Sequence, residues 1–321
     1  MTAEHVYAIP LRTRFRGITV REGVLLRGPA GWGEFCPFLD YSDAECVPWL
    51  AAAVEASERG WPEPVRDRVE VNATVPVVSP ERAHELVAAS GCRTAKVKVA
   101  DPRSSLVDDC ERVAAVREAL GPGGAIRVDA NAAWDVDMAV AAIGELGRAA
   151  GGLEYVEQPC PSIDELARVR RKVDVRVAAD ESIRRAEDPL RIAVAEAADV
   201  AVLKVAPLGG VRRALRVAEA CGLPCVVSSA VESSVGLAAE LALAGALPSL
   251  EFACGLGTMS LLTGDVTTGS LSAVDGSLPV PARAPEPDLV ADVAADDETR
   301  QRWLARLARV RALTEADTEG S

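Results

Sequence analysis

The sequence predicts an α/β protein whose parallel strands close into a barrel. From Val69 onward, short apolar strands alternate with helical patterns over about 185 residues, the pattern of βα units feeding a parallel sheet. Strands are expected at 70–75, 93–98, 125–129, 153–157, 175–179, 200–204, 224–228 and 249–252. Eight strands with seven intervening helices suffice to close such a sheet. The second observation is that ionisable residues end consecutive strands: Lys98, Asp129, Glu157, Asp180 and Lys204. An open doubly wound sheet would gather such residues at one switch point, and no Gly-rich nucleotide loop follows the first strand. A closed barrel instead brings every C-terminal strand end to one mouth.

Ahead of the barrel, Tyr7 to Leu11, Gly23 to Leu26 and Gly31 to Phe35 read as strands, and Ser42 to Glu58 as a helix with small apolar faces. Arg12-Thr13-Arg14-Phe15-Arg16-Gly17 is a basic loop between the first strands, either a solvated hairpin tip or a flap that supplies cations to an anionic ligand. Trp61-Pro62-Glu63-Pro64 breaks the pattern and marks a boundary. Within the barrel, helical patterns cover a stretch opened by Ser79-Pro80-Glu81, then Leu106 to Leu120, Val136 to Ala149, Ile163 to Arg171, Val211 to Cys221 and Ser234 to Ala244. After Phe252 the pattern loosens through Gly255-Leu256-Gly257-Thr258 and a proline-rich stretch, and a last helix runs from Asp297 to Leu313, with fraying expected from Glu315. Three parts result: 1–66, a barrel over 67–254, and a C-terminal segment over 255–321.

Composition bounds the chemistry. The 321 residues are 49% apolar and 26% charged, as in ordinary globular proteins. A net charge of −13 argues against general nucleic-acid binding. No run approaches a membrane span, and with no apolar signal segment the eight scattered cysteines are expected as reduced cytosolic thiols. His5 and His84 are the only histidines, and neither has a candidate ligand or nucleophile beside it. Acid–base chemistry must therefore use lysine or carboxylate.

Lys96 and Lys98 stand two apart in the strand Thr94-Ala95-Lys96-Val97-Lys98-Val99, so both ammonium groups enter one space. Asp129, Glu157 and Asp180 end successive strands and face one another. Two carboxylates about 4 Å apart repel by on the order of 4 kcal/mol at an effective dielectric near 20. Three require a cation. It is either a hard ion such as Mg²⁺, for which oxygen-only ligands are suited, or the lysines in a structural network. A lysine beside another cation has its pKa lowered and can act as a base; Lys96 would exert that push on Lys98, and could also contact substrate. Lys98 and Lys204 project from opposite sides of such an ion, an arrangement that permits proton abstraction next to a metal-bound carboxylate. Asn131 and Glu181 are candidates to orient the acids. Arg127, one layer deeper than Asp129, reads as a barrel-interior ion pair. Gly209-Gly210 could offer bare amides to an anion or form a tight turn. Ser228 and Ser229 could bind substrate oxygens or cap the following helix.

Taken together, Lys96-Val97-Lys98, Val128-Asp129-Ala130-Asn131, Val156-Glu157-Gln158-Pro159, Ala179-Asp180-Glu181-Ser182 and Leu203-Lys204 resemble the enolase superfamily, muconate-lactonising branch. Gly31-Trp32-Gly33-Glu34-Phe35 leading to Pro37-Phe38-Leu39, Lys204 to Gly210, and Ser228 to Ser234 resemble the o-succinylbenzoate synthase family within it, dehydratases of menaquinone synthesis. The resemblance implies a modified (β/α)₇β TIM-like barrel with an α+β capping domain made from the N-terminal part and the C-terminal tail. It implies Lys98 as the base, Asp129, Glu157 and Asp180 as ligands of one Mg²⁺, and Lys204 as a cation beside the enediolate. Ser228, Ser229 and the Gly255 turn would neighbour the succinyl tail of the carboxylate substrate. A racemase or epimerase of N-acylated amino acids or dipeptides would use the same two lysines. Cys254-Gly255-Leu256-Gly257 stands where an Asp-x-Asp pair would favour a dipeptide substrate. A non-catalytic binding protein is the third reading, although none of the five groups is missing.

Overall fold

The structure, a computed structural model, describes residues 2–184 and 196–319. The helix expected between the strands at 175–179 and 200–204 falls mostly outside them.

The chain starts with an antiparallel sheet of β1 (Thr2–Phe15), β2 (Ile18–Gly28) and β3 (Gly31–Phe35). The register runs from Thr2 opposite Arg27 to Phe15 opposite Ile18, so the turn is Arg16-Gly17, with both residues at positive φ. β1 and β2 are therefore longer than the sequence suggested. Helix Val47–Glu58 packs on β3 so closely that a Cβ on Gly33 would lie 2.1 Å from the Ala53 carbonyl oxygen. This helix starts at Val47 rather than Ser42, because Ser42 and Glu45 close a turn of their own: the Ser42 backbone N–H and hydroxyl both donate to the Glu45 carboxylate at 2.9 Å.

The barrel sheet holds seven parallel strands in sequence order: β5 (Ala73–Val75), β6 (Thr94–Lys98), β7 (Ala125–Asp129), β8 (Tyr155–Glu157), β9 (Arg176–Ala179), β10 (Val200–Leu203) and β11 (Cys225–Val227). Two expectations are corrected here. The strand expected at 70–75 is split: β4 (Arg68–Glu70) pairs antiparallel with β12 (Ser277–Pro279), and only β5 joins the barrel. The eighth strand expected at 249–252 is instead a two-residue junction, Cys254 bridged to Val71 and Gly255 to Ser228. Asn72 N–H donates to Cys254 O at 2.9 Å and Gly255 N–H to Val227 O at 2.8 Å, and these bonds join the two edges of the sheet.

Helices face the barrel with capped ends that the sequence encodes. Ser105 with Asp108 and Ser162 with Glu165 form reciprocal capping boxes, and Gly91, Gly151 and Gly222 end helices in the left-handed region. The C-terminal segment returns to the first sheet: Ala294 bridges Tyr7, and Leu262 bridges Leu11. Its helix spans Asp297–Glu319, beyond the fraying expected from Glu315. The helix buries Trp303, Leu307 and Val310, a spacing that places all three on one face. No described helix is long and apolar enough to cross a membrane.

Candidate active site

The five strand-end residues meet at one end of the barrel. In-plane register sets Lys98 beside Asp129 and Asp129 beside Glu157, while Asp180 follows the last residue of β9. Asp129 Oδ2 lies 2.5 Å from Lys98 Nζ and 3.1 Å from Lys96 Nζ. Lys96 Nζ also donates to Glu157 Oε1 at 2.8 Å, and Lys204 Nζ to Asp180 Oδ2 at 2.6 Å. All three acids are 1% exposed, so their charges are compensated by these three lysines and not by water.

Burial and charge split the pKa values. Burial pushes Asp129 up, but the Lys98 and Lys96 ammonium groups outweigh it and hold the carboxyl well below the usual range. Glu157 is pushed up to about 7 by burial and by the Asp129 charge. Burial lowers Lys98, helped by Lys96 and opposed by Asp129, and the net direction is down. For Lys96, burial also lowers, but Glu157 and Asp129 prevail and its pKa rises well above the ordinary value. Two lysines two residues apart are thus driven in opposite directions.

The cleft above these groups, open to solvent, is lined by Lys96, Lys98, Asn131, Lys204, Ser228, Ser229 and Gly255, together with Phe15 and Arg16 of the first hairpin, Phe38 of the loop after β3, and Trp49 of the following helix. The tip of the basic hairpin thus lies at the barrel mouth, where Phe15 and Arg16 line the cleft. Phe15 brings its ring 5.3 Å from Lys98 Nζ, and Arg16 stacks on Phe38 at 3.8 Å. Asn131 accepts from Lys98 at 2.7 Å and donates to Glu181 at 3.3 Å, which links both residues to Lys98. Arg127 is fully buried and donates to Glu154, to Asn72 and to the Ala253 carbonyl; it forms the expected interior ion pair and makes no bond to the three acids among the described contacts. Gly209-Gly210 is a tight turn at φ +86° and +119°, after a short helix Val205–Leu208. The anion at the next helix is the protein's own: Arg212 N–H donates to Glu55 Oε1 at 3.3 Å. Ser233, not Ser228 or Ser229, caps helix Ser234–Ala246. The Ser229 hydroxyl is held by Glu232 at 2.5 Å, and Ser228 lines the cleft against Gly255, where any Cβ would strike its Oγ. His5 stacks on Trp32.

The sequence reading missed Gln158. Its side chain accepts from the backbone N–H of Asp180 at 2.9 Å and of Ser182 at 3.1 Å, and donates to Ser182 Oγ at 2.7 Å. It fixes the strand end that carries Asp180. Nothing in the sequence marks that contact beyond the place of Gln158 in the Val156–Pro159 segment.

The donor set fits a hard divalent cation. It holds three buried carboxylates with oxygen donors only, and Glu157 Oε2 is buried with no hydrogen-bond partner among the described residues. In this arrangement each acid leans on a lysine, and no three acidic, histidine or cysteine groups among the described residues form a ready metal cage.

Comparison with known proteins adds the lineage. Residues 6–57 match the enolase N-terminal domain-like family and residues 79–285 the enolase C-terminal domain-like family. The chain is 62% identical over 309 residues to the o-succinylbenzoate synthase of Thermobifida fusca, covering 96% of each chain. It is 54% identical over 310 residues to that of Mycolicibacterium smegmatis, covering 96% of this chain and 95% of the relative. Among solved structures, the L-Ala-D/L-Glu epimerase of Bacillus subtilis superposes with a TM-score of 0.75 at 24% identity, over 89% of this chain and 98% of that one. The muconate lactonizing enzyme of Pseudomonas putida gives 0.74 at 22%, over 92% and 100%. These two likenesses carry the barrel fold alone, whereas the closer sequences carry the lineage: the chain belongs to the o-succinylbenzoate synthase family of the enolase superfamily.

Proposed function

We propose that this chain is the dehydratase that converts 2-succinyl-6-hydroxy-2,4-cyclohexadiene-1-carboxylate to o-succinylbenzoate in menaquinone biosynthesis. The observation that carries the reading is the placement of Lys98 and Lys204 in one cleft, on β6 and just after β10, with the three acid-bearing strands between them. Lys98 is the only one of the paired lysines on β6 whose pKa is driven down, which suits a base. In its neutral form it takes the proton on the carbon bearing the carboxylate. The electron pair left behind spreads into that carboxylate, where the Lys204 ammonium faces it. The carbon–oxygen bond to the ring hydroxyl then breaks, the proton on Lys98 returns to the departing oxygen as water on the same face, and the ring becomes aromatic. Asp129, Glu157 and Asp180 are the residues that would hold Mg²⁺, which supplies fixed positive charge against the substrate carboxylate and so acidifies the neighbouring proton.

The eight free thiols suit a reducing compartment, which supports a cytoplasmic enzyme. The test is turnover of the hydroxycyclohexadiene substrate with Mg²⁺, followed by aromatic absorbance. Turnover that disappears in Lys98→Ala and in EDTA supports dehydration by base and metal together. No turnover by the intact protein would overturn it.

A further inference from the structure

Behind the cleft wall lies a buried cation that the reaction above does not use. Arg21 on β2 is 2% exposed. Its Nε donates to the Val231 carbonyl at 3.0 Å, and Nη2 donates to the Cys36 carbonyl. Its guanidinium also sits 4.5 Å from the centre of the Phe38 ring. Val231 and Phe38 both line the cleft, one from the loop that follows β11 and one from the loop that follows β3. Arg21 therefore touches both walls while remaining out of the cleft itself.

The Val231 end of this contact is conformationally expensive. Val231 has φ +65°, the left-handed region that a β-branched residue disfavours most. Such a backbone persists only where its surroundings over-determine it. Here they do: the Val231 N–H donates to Ser229 Oγ at 2.8 Å, the Ser229 hydroxyl donates to Glu232, and Arg21 fixes the carbonyl. The segment held this way, 228–231, forms the cleft wall beside Gly255. A residue in an ordinary conformation would need no such clamp.

We propose that Arg21 is a positioning residue for substrate binding, which sets the cleft wall by clamping the left-handed Val231 and stacking on Phe38. The proposal rests on the dehydratase reading for the identity of the ligand only. It predicts weaker binding of the succinyl-bearing substrate with the proton-transfer step largely kept, because neither Lys98 nor Lys204 contacts Arg21.

The test is a double-mutant cycle on the Mg²⁺-loaded full chain, with substrate turnover and calorimetric binding of o-succinylbenzoate as separate readouts. Arg21→Met should raise KM about tenfold with kcat within about threefold of the parent, and Arg21→Lys should recover part of the loss. Val231→Gly removes the cost of the left-handed backbone, so in the Arg21→Met background it should restore KM and product affinity towards the parent values. If Val231→Gly and Arg21→Met worsen KM additively, Arg21 does not act through Val231 and the proposal fails. Equal KM in Arg21→Met and the parent also defeats it. Arg21→Met that does not fold leaves Arg21→Lys with and without Val231→Gly, for which the same coupling is required. A parent protein that neither turns over nor binds would sink the dehydratase reading, a different result from any of these.

Discussion

The pKa directions of Lys96 and Lys98 are opposite. In the proposed mechanism Lys98 must be neutral to accept a proton, so activity should rise with pH as it deprotonates. Because burial and Lys96 pull its pKa down, the rise should centre below the ordinary lysine value of about 10.4. Lys96→Met removes one of the two downward causes, so the rise in kcat/KM should move to higher pH; an unmoved or lowered limb would show that Lys96 does not tune the base. Lys98→Ala should cost about 10²- to 10⁴-fold in kcat, measured in Mg²⁺ with the fold checked by circular dichroism. These residues were legible in the sequence for a simple reason. A parallel barrel puts every strand's C-terminal residue at one mouth, so position along the chain alone discloses the cluster. Gln158, Phe15 and Arg21 were not legible in that way. Gln158 reaches over 22 residues to a backbone N–H, and Arg21 over 210 residues to a backbone carbonyl. No spacing rule encodes such contacts.

At the scale of elements, helices were read well where polar caps and glycine stops bracket them, and strands less well where pairing decides. The one strand expected at 70–75 is divided between two sheets, because Arg68–Glu70 pairs with β12 and only Ala73–Val75 joins the barrel. The eighth strand is misplaced for a related reason: Leu250 and Phe252 are apolar, but the residues that bridge both barrel edges are Cys254 and Gly255. Close approach matters equally between β3 and helix Val47–Glu58. Gly33→Ala would drive a methyl into the Ala53 carbonyl, and should destabilise by about 1–3 kcal/mol in urea unfolding, since main chain there cannot rotate away. The helix Ser234–Ala246 supplies a second test. Its Glu240, 1% exposed, accepts the Val205 N–H at 2.9 and 3.0 Å and so fixes the residue after Lys204. Burial, then the Glu232 charge, raises the Glu240 pKa well above the ordinary value, against smaller opposing pulls from the Val205 N–H and from Lys204. A raised carboxyl binds a proton on folding, so its contribution is full below about pH 4.3 and is lost as pH rises through the folded-state pKa. Glu240→Gln keeps an acceptor for Val205 and cannot ionise. Its melting temperature should therefore fall less than the parent's between mildly acidic and alkaline pH; parallel curves would refute this.

At the scale of the whole molecule, the two chain ends combine to build the lid of a site whose chemistry lies in the middle. The C-terminal helix ties this together through Arg306, 5% exposed, which donates to the Phe38 carbonyl at 2.9 Å and the Tyr41 carbonyl at 2.6 Å. Phe38 lines the cleft and packs under Arg16 of the hairpin tip, so the C-terminal helix is mechanically connected to the cleft wall. Magnitudes separate this contact from its neighbour on the same helix. Arg302 pairs with Glu22 at 2.7 Å but is 44% exposed, and an exposed pair contributes about 0–1 kcal/mol. Removing Arg306 takes away a buried charged donor shared by the Phe38 and Tyr41 carbonyls, and a hydrogen bond to a charged group contributes about 1.5–3 kcal/mol. Arg306→Met should therefore lower stability by at least about 2 kcal/mol and raise KM, because the loop bearing Phe38 loses its anchor. Arg302→Met should do neither, although it removes the same charge four residues away. Urea unfolding and substrate kinetics on both variants decide the matter: equal effects would mean that the helix acts through net charge, and a loss of stability with unchanged KM would mean that it supports the capping sheet without governing the cleft.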